Sequence, residues 1–301
     1  MSITSFFETL SVHWWVYALM SMFFLGCAMS VFKIPSINKD VTNNGLNVWF
    51  SIFLMVLATI FFYPTNGIFN PDTKLIIVAI AFTQGILLTL RTLLQTKALS
   101  MFRANDLFPT TSVSGLVIII FIGILFFHDH LSLTRDLGII LAVITIYLFA
   151  RKGNPITLEK KAIIFWIGIV TLSVAGNLSN KFAADIGDLH TFLFYSYIAT
   201  LVSSLFMLSL TKLSGGEIKK QVIHIGALSY GIISAILAFF GSWSLLQALT
   251  LGPVSAVQTI NSSYVFVTSI VVWFIFDEKL TTRKMFLIFL AVLAMILIRV
   301  G

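Results

Sequence analysis

Charge is scarce in this chain. Of its 301 residues, 10% are charged and 58% are hydrophobic, and the mean hydropathy is +1.00. Soluble domains carry roughly a quarter charged residues, because their surface must face water. The shortage excludes a soluble globular protein and predicts a polytopic membrane protein, whose main surroundings are the lipid bilayer.

Cysteine is nearly absent as well. Cys27 stands alone, which excludes an intramolecular disulfide and any site built from several cysteines. Its apolar surroundings favour a small buried residue over a reactive thiol. Glycine-rich phosphate loops are also missing, since neither GxxxxGK[ST] nor GxGxxG occurs.

Acidic side chains and histidines are missing from the predicted membrane interior. The 12 carboxylates and 5 histidines all fall in connections or at helix ends. Proton-coupled transporters usually keep such a group within the membrane, so a facilitator or an exchanger fits better. A membrane-embedded enzyme would need a nucleophile, a base or metal ligands at mid-depth. The sequence therefore predicts neither an enzyme nor a cofactor.

One short run resembles a metal cluster. His128-Asp129-His130 are adjacent on a predicted turn, and three neighbouring residues rarely converge on one ion without a distant fourth ligand. A solvated turn is the favoured interpretation, and no metal site is predicted.

The net charge of +7 would suggest nucleic acid in a soluble protein. Here the basic residues lie at helix ends, where they orient helices and meet anionic headgroups, so no nucleic-acid partner is expected. One set of connections holds most of them and is predicted to be cytoplasmic, with both termini outside: Lys33, Lys39, Lys97, Arg103, Arg151, Lys152, Lys160, Lys161, Lys212, Lys219, Lys220, Lys279, Arg283 and Lys284.

Ten apolar stretches are long enough to cross the hydrocarbon, for which about 20 residues are needed. They cover 13–32, 44–63, 75–98, 107–127, 133–150, 161–181, 189–211, 222–249, 254–276 and 283–300. The predicted fold is all-α, with ten transmembrane helices and no room for a soluble domain.

The chain repeats itself. Lys97-Ala98-Leu99 answers Gln247-Ala248-Leu249, and Gly26 to Lys33 answers Val174 to Lys181. Residues 1–152 and 153–301 are thus predicted to be two five-helix repeats. Because each has an odd number of spans, the second should be inverted relative to the first, with the substrate near mid-membrane between them.

Ala98-Leu99 and Ala248-Leu249, which close the third and eighth spans, resemble elements of the EamA-type branch of the drug/metabolite transporter superfamily. Phe276-Asp277-Glu278-Lys279-Leu280 resembles another element of that branch, and the likeness covers almost the whole chain. It implies secondary transport of small organic solutes such as amino acids, purines, nucleotide-linked metabolites or drugs, often as export. The first copy departs from the family in having Asp129 where Glu is usual. We interpret Asp129 and Glu278 as turn-fixing residues.

Arg91 belongs to no family motif. Gln84, Leu88, Arg91 and Gln95 share one helical face, and a guanidinium facing lipid is costly. Arg91 could bind a carboxylate or phosphate with its planar fork. It could instead snorkel to the interface or pair with helix-end carbonyls.

Further polar residues form stripes on the other helices. They could line a cavity, or they could tie helices together by hydrogen bonds. The candidate substrate-binding residues are Arg91, Gln84, Gln95, Asn177, Tyr230, Trp243, Gln247, Gln258 and Asn261.

These features predict a secondary transporter of small metabolites in a bacterial inner membrane. Carboxylate-bearing solutes are favoured because embedded positive charge is present and embedded negative charge is absent. A flippase for a lipid or a lipid-linked substrate is the alternative. A monomer would suffice for either.

Overall fold

The computed structural model describes residues 13–37, 41–66, 75–99, 104–129, 132–150, 160–213, 225–276 and 281–301. Every regular element within these ranges is a helix. The helices are α1 (Trp14–Val31), α2 (Ile34–Ile37), α3 (Asn43–Asn66), α4 (Leu75–Leu99), α5 (Ala104–Phe126), α6 (Leu133–Ala150), α7 (Lys160–Ile186), α8 (Leu189–Leu213), α9 (Ile225–Leu251), α10 (Val254–Ser262), α11 (Tyr264–Phe276) and α12 (Thr282–Val300).

Seven segments of the described chain are long and apolar enough to cross a membrane. They are Trp14–Val31, Asn43–Phe62, Leu75–Ala98, Ile163–Ile186, Leu189–Leu210, Ile225–Leu251 and Val254–Ile275. Thr110–Phe126 in α5 is a shorter apolar segment. The predicted all-α, multi-pass membrane protein is confirmed, while the count of ten spans stays a prediction.

Two of the predicted spans differ from the helices observed by more than three residues at one end or by a break in the helix. The span predicted to end at residue 181 continues as α7 to Ile186. The span predicted over 254–276 is interrupted at Ser263, between α10 and α11. There Ser263 N donates to Ile260 O at 3.1 Å and Phe266 N donates to Ser263 O at 3.0 Å. This three-residue spacing is tighter than that of an α-helix, and neither proline nor glycine marks the break.

The helices of the two halves pack in equivalent pairs. According to the sequence match, α1 corresponds to α7, α3 to α8 and α4 to α9. In the structure α1 packs against α9 and α4 against α7; likewise α3 packs against α9 and α8 against α4. The two final helices, α6 and α12, pack against each other. This is the pairing that two related five-helix repeats require. The inversion and the boundary between 152 and 153 stay predictions, and that boundary lies outside the described residues.

Glycine allows the closest helix crossings. A Cβ at Gly85 of α4 would lie 2.4 Å from Ser196 O and 2.7 Å from Thr200 N of α8. A Cβ at Gly231 of α9 would lie 2.5 Å from Trp49 Cβ of α3. Small residues let membrane helices approach in this way, so these two glycines fix α4 and α9 against their neighbours.

The two ends of the bundle differ in charge. At what we call the basic end, Lys97 lies over Phe165, Lys284 lies over Phe149, and Arg283 Nη2 donates to Leu148 O at 3.1 Å. At the opposite end, which we call the Trp14 end, Arg135 lies over Trp14 and Arg299 over Trp15. The carboxylates of the described residues lie at helix ends or between helices, as predicted: Asp129, Asp136, Asp185 and Asp188.

Candidate functional site

A cavity of about 120 Å³ lies between the two halves of the bundle. Its lining comes from the middle of α4, α7 and α9, from α1, α3, α5 and α8, and from the region where α10 meets α11. The lining residues of α4 and α7 are mostly polar, and those of α1 and α3 are all apolar.

The polar side centres on α4. Gln84, Arg91 and Gln95 line the cavity together, so their common helical face turns towards the interior of the bundle. The neighbouring helix α7 contributes Asn177 and Asn180. Because α4 and α7 pack directly on each other, these side chains form one continuous polar surface, which we call the polar wall.

No negatively charged side chain of the described lining balances the charge of Arg91 in this wall. Its Nε is buried and has no hydrogen-bond partner among the described residues. Arg91 is also the one charged side chain in the described lining, which contains no carboxylate. The phenol of Tyr264 is close enough to interact with it electrostatically, and Tyr264 Oη accepts a hydrogen bond from Ser112 Oγ at 3.1 Å. A guanidinium whose buried Nε has no partner suits a ligand that brings its own negative charge.

Gln84 is the second unpaired polar group. Its Oε1 is buried and lacks a hydrogen-bond donor among the described residues. The carboxamide lies against Gly176 of α7, where an added Cβ would stand 3.2 Å from Oε1. Native interiors rarely leave such atoms unpaired, so a bound molecule is a natural partner for them.

Another part of the lining is apolar. We call it the apolar wall; it comprises Leu25, Met29 and Phe32 of α1 and Phe50 and Leu54 of α3. On α8 and α9 the apolar lining residues lie beside the polar Ser196, Tyr197 and Ser242. Phe32 and Phe50 meet edge to face with their ring centroids 5.3 Å apart. Sequence reasoning missed this wall, because an apolar side chain in a membrane helix carries no signal that separates a cavity from lipid.

Five of the nine predicted residues line the cavity: Arg91, Gln84, Gln95, Asn177 and Asn261. Asn261 also has a structural partner, since its Oδ1 accepts a hydrogen bond from Ser21 Oγ at 2.9 Å and joins α10 to α1. It reaches the cavity from the last turn of α10, beside the break at Ser263.

Four predicted residues do not line the cavity: Tyr230, Trp243, Gln247 and Gln258. Trp243 is buried and meets Tyr17 edge to face at 5.9 Å. Tyr230 packs against the main apolar core. Gln258 is 1% exposed, and its carboxamide has no hydrogen-bond partner among the described residues. Gln247 lies near the end of α9, one turn before Leu251.

Asp129 connects the two halves at the Trp14 end. Its Oδ2 accepts hydrogen bonds from Ser255 N at 2.8 Å and from Ser255 Oγ at 2.7 Å. The carboxylate thereby caps the first turn of α10, where free N–H groups favour negative charge. This contact agrees with a turn-fixing role. Glu278 and His130 lie outside the described residues.

The sequence of the second half matches a known family. The model of the EamA-like transporter family matches residues 160–300. No curated protein matches the chain. A protein solved by crystallography has the same fold, with a TM-score of 0.69 and 8% sequence identity over 94% of this chain and 94% of that chain. At 8% identity this similarity is evidence for the fold alone. The family match covers the helices that supply Asn177, Asn261 and Tyr264 to the cavity, and residues 160–300 thereby match the EamA-like transporter family of the drug/metabolite transporter superfamily.

Proposed function

We propose that the protein is a secondary transporter that moves a small carboxylate-bearing solute across the membrane by alternating access. This proposal rests mainly on Arg91. Its Nε is unpaired, and the described lining of the central cavity holds no carboxylate. A carboxylate could form paired hydrogen bonds with the planar guanidinium, which a single ammonium point charge cannot offer.

The packing supports a rocking mechanism. Residues 1–152 and 153–301 would be inverted repeats, and the cavity receives helices from both. The hydrogen bonds from Ser255 to Asp129 cross between the halves at the Trp14 end. Opening of the cavity towards that end would break them, and closing would restore them.

The charge difference between the two ends supports an orientation. The basic end holds Lys97, Arg283 and Lys284 and would face the cytoplasm. The Trp14 end, with its carboxylates and its interfacial tryptophans, would face outside together with both termini. The membrane would be a bacterial inner membrane, in which a monomer would suffice.

The flippase alternative is not favoured by the family match. A flippase would need a cavity that opens sideways to lipid and basic residues near one headgroup layer. Arg91 is instead about 12 Å along α4 from its end at Leu99, given the rise of about 1.5 Å per residue.

Counterflow in liposomes tests the proposal. Vesicles loaded with pooled metabolites would be offered labelled amino acids, organic acids and nucleotides, with wild type and Arg91→Ala compared. We expect uptake of a carboxylate-bearing solute by wild type and its loss in Arg91→Ala. Lys97→Ala is the matched control, because it removes an exposed cation from the same helix outside the cavity.

Two results would contradict the proposal. Equal uptake by wild type and Arg91→Ala would reduce Arg91 to a structural charge. If no soluble metabolite is transported and a labelled lipid moves across the membrane, the flippase function would replace the metabolite-transporter function.

A further inference from the structure

The charge in the cavity limits the net charge of its ligand. Arg91 contributes one positive charge, and the described lining holds no acidic group to balance it. A ligand of net charge −1 would leave a neutral complex. A zwitterion would leave one uncompensated positive charge, and a dianion would leave one negative charge. Uncompensated charge is costly in a medium of low dielectric constant, so a monoanion is favoured over both.

The segregation of the two walls limits the shape of the ligand. The charged group and most of the amide groups come from α4 and α7, whereas α1 and α3 contribute only apolar side chains to the lining, among them Met29, Phe32 and Phe50. A ligand that is polar throughout would leave the apolar wall in contact with polar atoms. A ligand with an apolar portion would bury that portion there and gain roughly 25 cal/mol for each Å² removed from water.

The size of the cavity limits the length of the ligand. Its volume is about 120 Å³, below the 300 Å³ or so at which drug-sized pockets begin. Long acyl chains are thereby disfavoured, and a single ring or a short branched chain is the apolar portion that fits.

We propose that the substrate is a small amphipathic monoanion: an organic acid with one carboxylate, no amino group and one compact apolar tail. This proposal rests on the transporter function and goes beyond it, because it prefers a 2-hydroxy or 2-oxo acid to the amino acid of the same skeleton. The carboxylate binds Arg91, and the tail lies against Met29, Phe32 and Phe50. A hydroxyl on the acid could donate to the unpaired Oε1 of Gln84.

Four probes with related skeletons separate these requirements. 3-Phenyllactate has all the features. Phenylalanine replaces its hydroxyl by an ammonium, 3-phenylpropane-1,2-diol replaces its carboxylate by an alcohol, and lactate lacks the ring. Binding to the purified full-length protein would be measured by titration calorimetry, and transport would be measured separately by counterflow.

We expect phenyllactate to bind most tightly. Phenylalanine should bind at least about tenfold more weakly because of its extra charge. Lactate should bind roughly 70-fold more weakly, because the ring buries on the order of 100 Å² of apolar surface. The diol should bind weakly to wild type but lose nothing in Arg91→Met, where the cavity is neutral. Phenyllactate should lose its advantage over the diol in the same variant.

Variants at the two walls should act on different probes. Met29→Asn should reduce the advantage of phenyllactate over lactate and leave its advantage over phenylalanine unchanged. Lys97→Met, outside the cavity, should preserve the whole order of affinities. A merely structural role of Arg91 would weaken all four probes alike.

The outcomes separate this inference from the transporter proposal. Phenylalanine binding as tightly as phenyllactate would overturn the monoanion, and lactate binding as tightly would overturn the apolar tail, even if both are transported. Binding of phenyllactate without flux of any solute would overturn transport and keep the inference. Binding of none of the probes would overturn the inference, whatever counterflow shows.

Discussion

The helices that open the two halves, α1 and α7, line the same cavity with different side chains. By the sequence match, Met29 of α1 corresponds to Asn177 of α7, and Phe32 corresponds to Asn180. Both helices nevertheless carry a lysine just after these residues, Lys33 and Lys181. In the predicted repeat the lysine position is therefore shared, whereas these residues of the cavity lining differ. Such a change gives the cavity a polar and an apolar wall, which a symmetric cavity would lack.

The conserved lysine position has a structural use in the second half. Lys181 Nζ pairs with Asp185 at 2.6 Å and donates to Leu249 O at 3.4 Å, near the end of α9. A cation near a helix C-terminus donates hydrogen bonds to free carbonyl groups and interacts favourably with the helix dipole. Lys33 is 7% exposed, at the end of α1. The difference between the halves thus distinguishes positions that define the fold from positions that define the ligand, and four experiments test that distinction.

Gly85→Ala should have the largest effect, because it displaces the polar wall as a whole. Its Cβ would meet backbone atoms of α8 at 2.4 Å and 2.7 Å, and backbone cannot move aside as a flexible side chain can. Overpacking of this kind costs about 1–3 kcal/mol or more. We expect the Tm of the purified protein to fall by roughly 5–10 °C, measured by thermal unfolding in detergent. An unchanged Tm would mean that α4 is not held at this crossing.

Gly115→Val should abolish transport without unfolding the protein. A Cβ at Gly115 of α5 would meet nothing closer than Val174 Cγ2 at 4.0 Å, so the added methyl groups enter the cavity. We expect a loss of at least about tenfold in counterflow with a Tm within about 2 °C of wild type. Gly115→Ala is the smaller matched change and should have an intermediate effect. Normal flux in the valine variant would place the substrate elsewhere.

Exchanging the corresponding residues of the two walls should alter specificity. Asn177→Met removes hydrogen-bonding capacity worth about 1 kcal/mol and should weaken binding of a carboxylate-bearing probe roughly fivefold. Met29→Asn should weaken binding of apolar tails by a similar factor. The double variant should not regain wild-type binding, because Arg91 remains on α4 beside α7. Affinity measurements that found full recovery would show that only the composition of the cavity matters.

Gly176→Ala should have the smallest effect. The new Cβ would stand 3.2 Å from Gln84 Oε1, and a flexible carboxamide can shift by a few tenths of an ångström. We expect transport to fall about two- to threefold, since the shift costs less than one hydrogen bond. Gly168→Ala on the same helix is the control, because its Cβ would stand 3.2 Å from Leu94 Cδ1, outside the cavity. Equal effects of the two would remove Gln84 from the site.

Much of the fold could be predicted because the hydrophobicity and length of a segment show directly whether it can span a bilayer. The all-α membrane class and the position of most helices follow from runs of about 20 apolar residues. The break at Ser263 could not be predicted, since its residues, Asn261, Ser262 and Ser263, are compatible with an uninterrupted helix. Beside the break Asn261 is tied to Ser21 of α1, a tertiary contact that the local sequence does not record.

The candidate site divides in the same way. The α4 stripe was found because charge in a membrane helix is costly and must turn inward. Tyr230 and Trp243 were assigned to the cavity because they lie on or beside a polar stripe of one helix, yet Trp243 lies in the core and Tyr230 packs against it. The apolar wall gave no signal of its own, although comparing Met29 with Asn177 could have located it.

The sequence by itself determined that this chain is a membrane protein and that Arg91 turns inward, because both rest on the cost of placing polar groups in lipid. Tertiary structure decided which residues meet: that Asp129 caps α10, that Gln84 lies on Gly176, and that an apolar wall lines the same cavity as Arg91. Those outcomes depend on the close packing of helices far apart in the chain. Side-chain packing is specified only when all the neighbours are present at once, which no local pattern records.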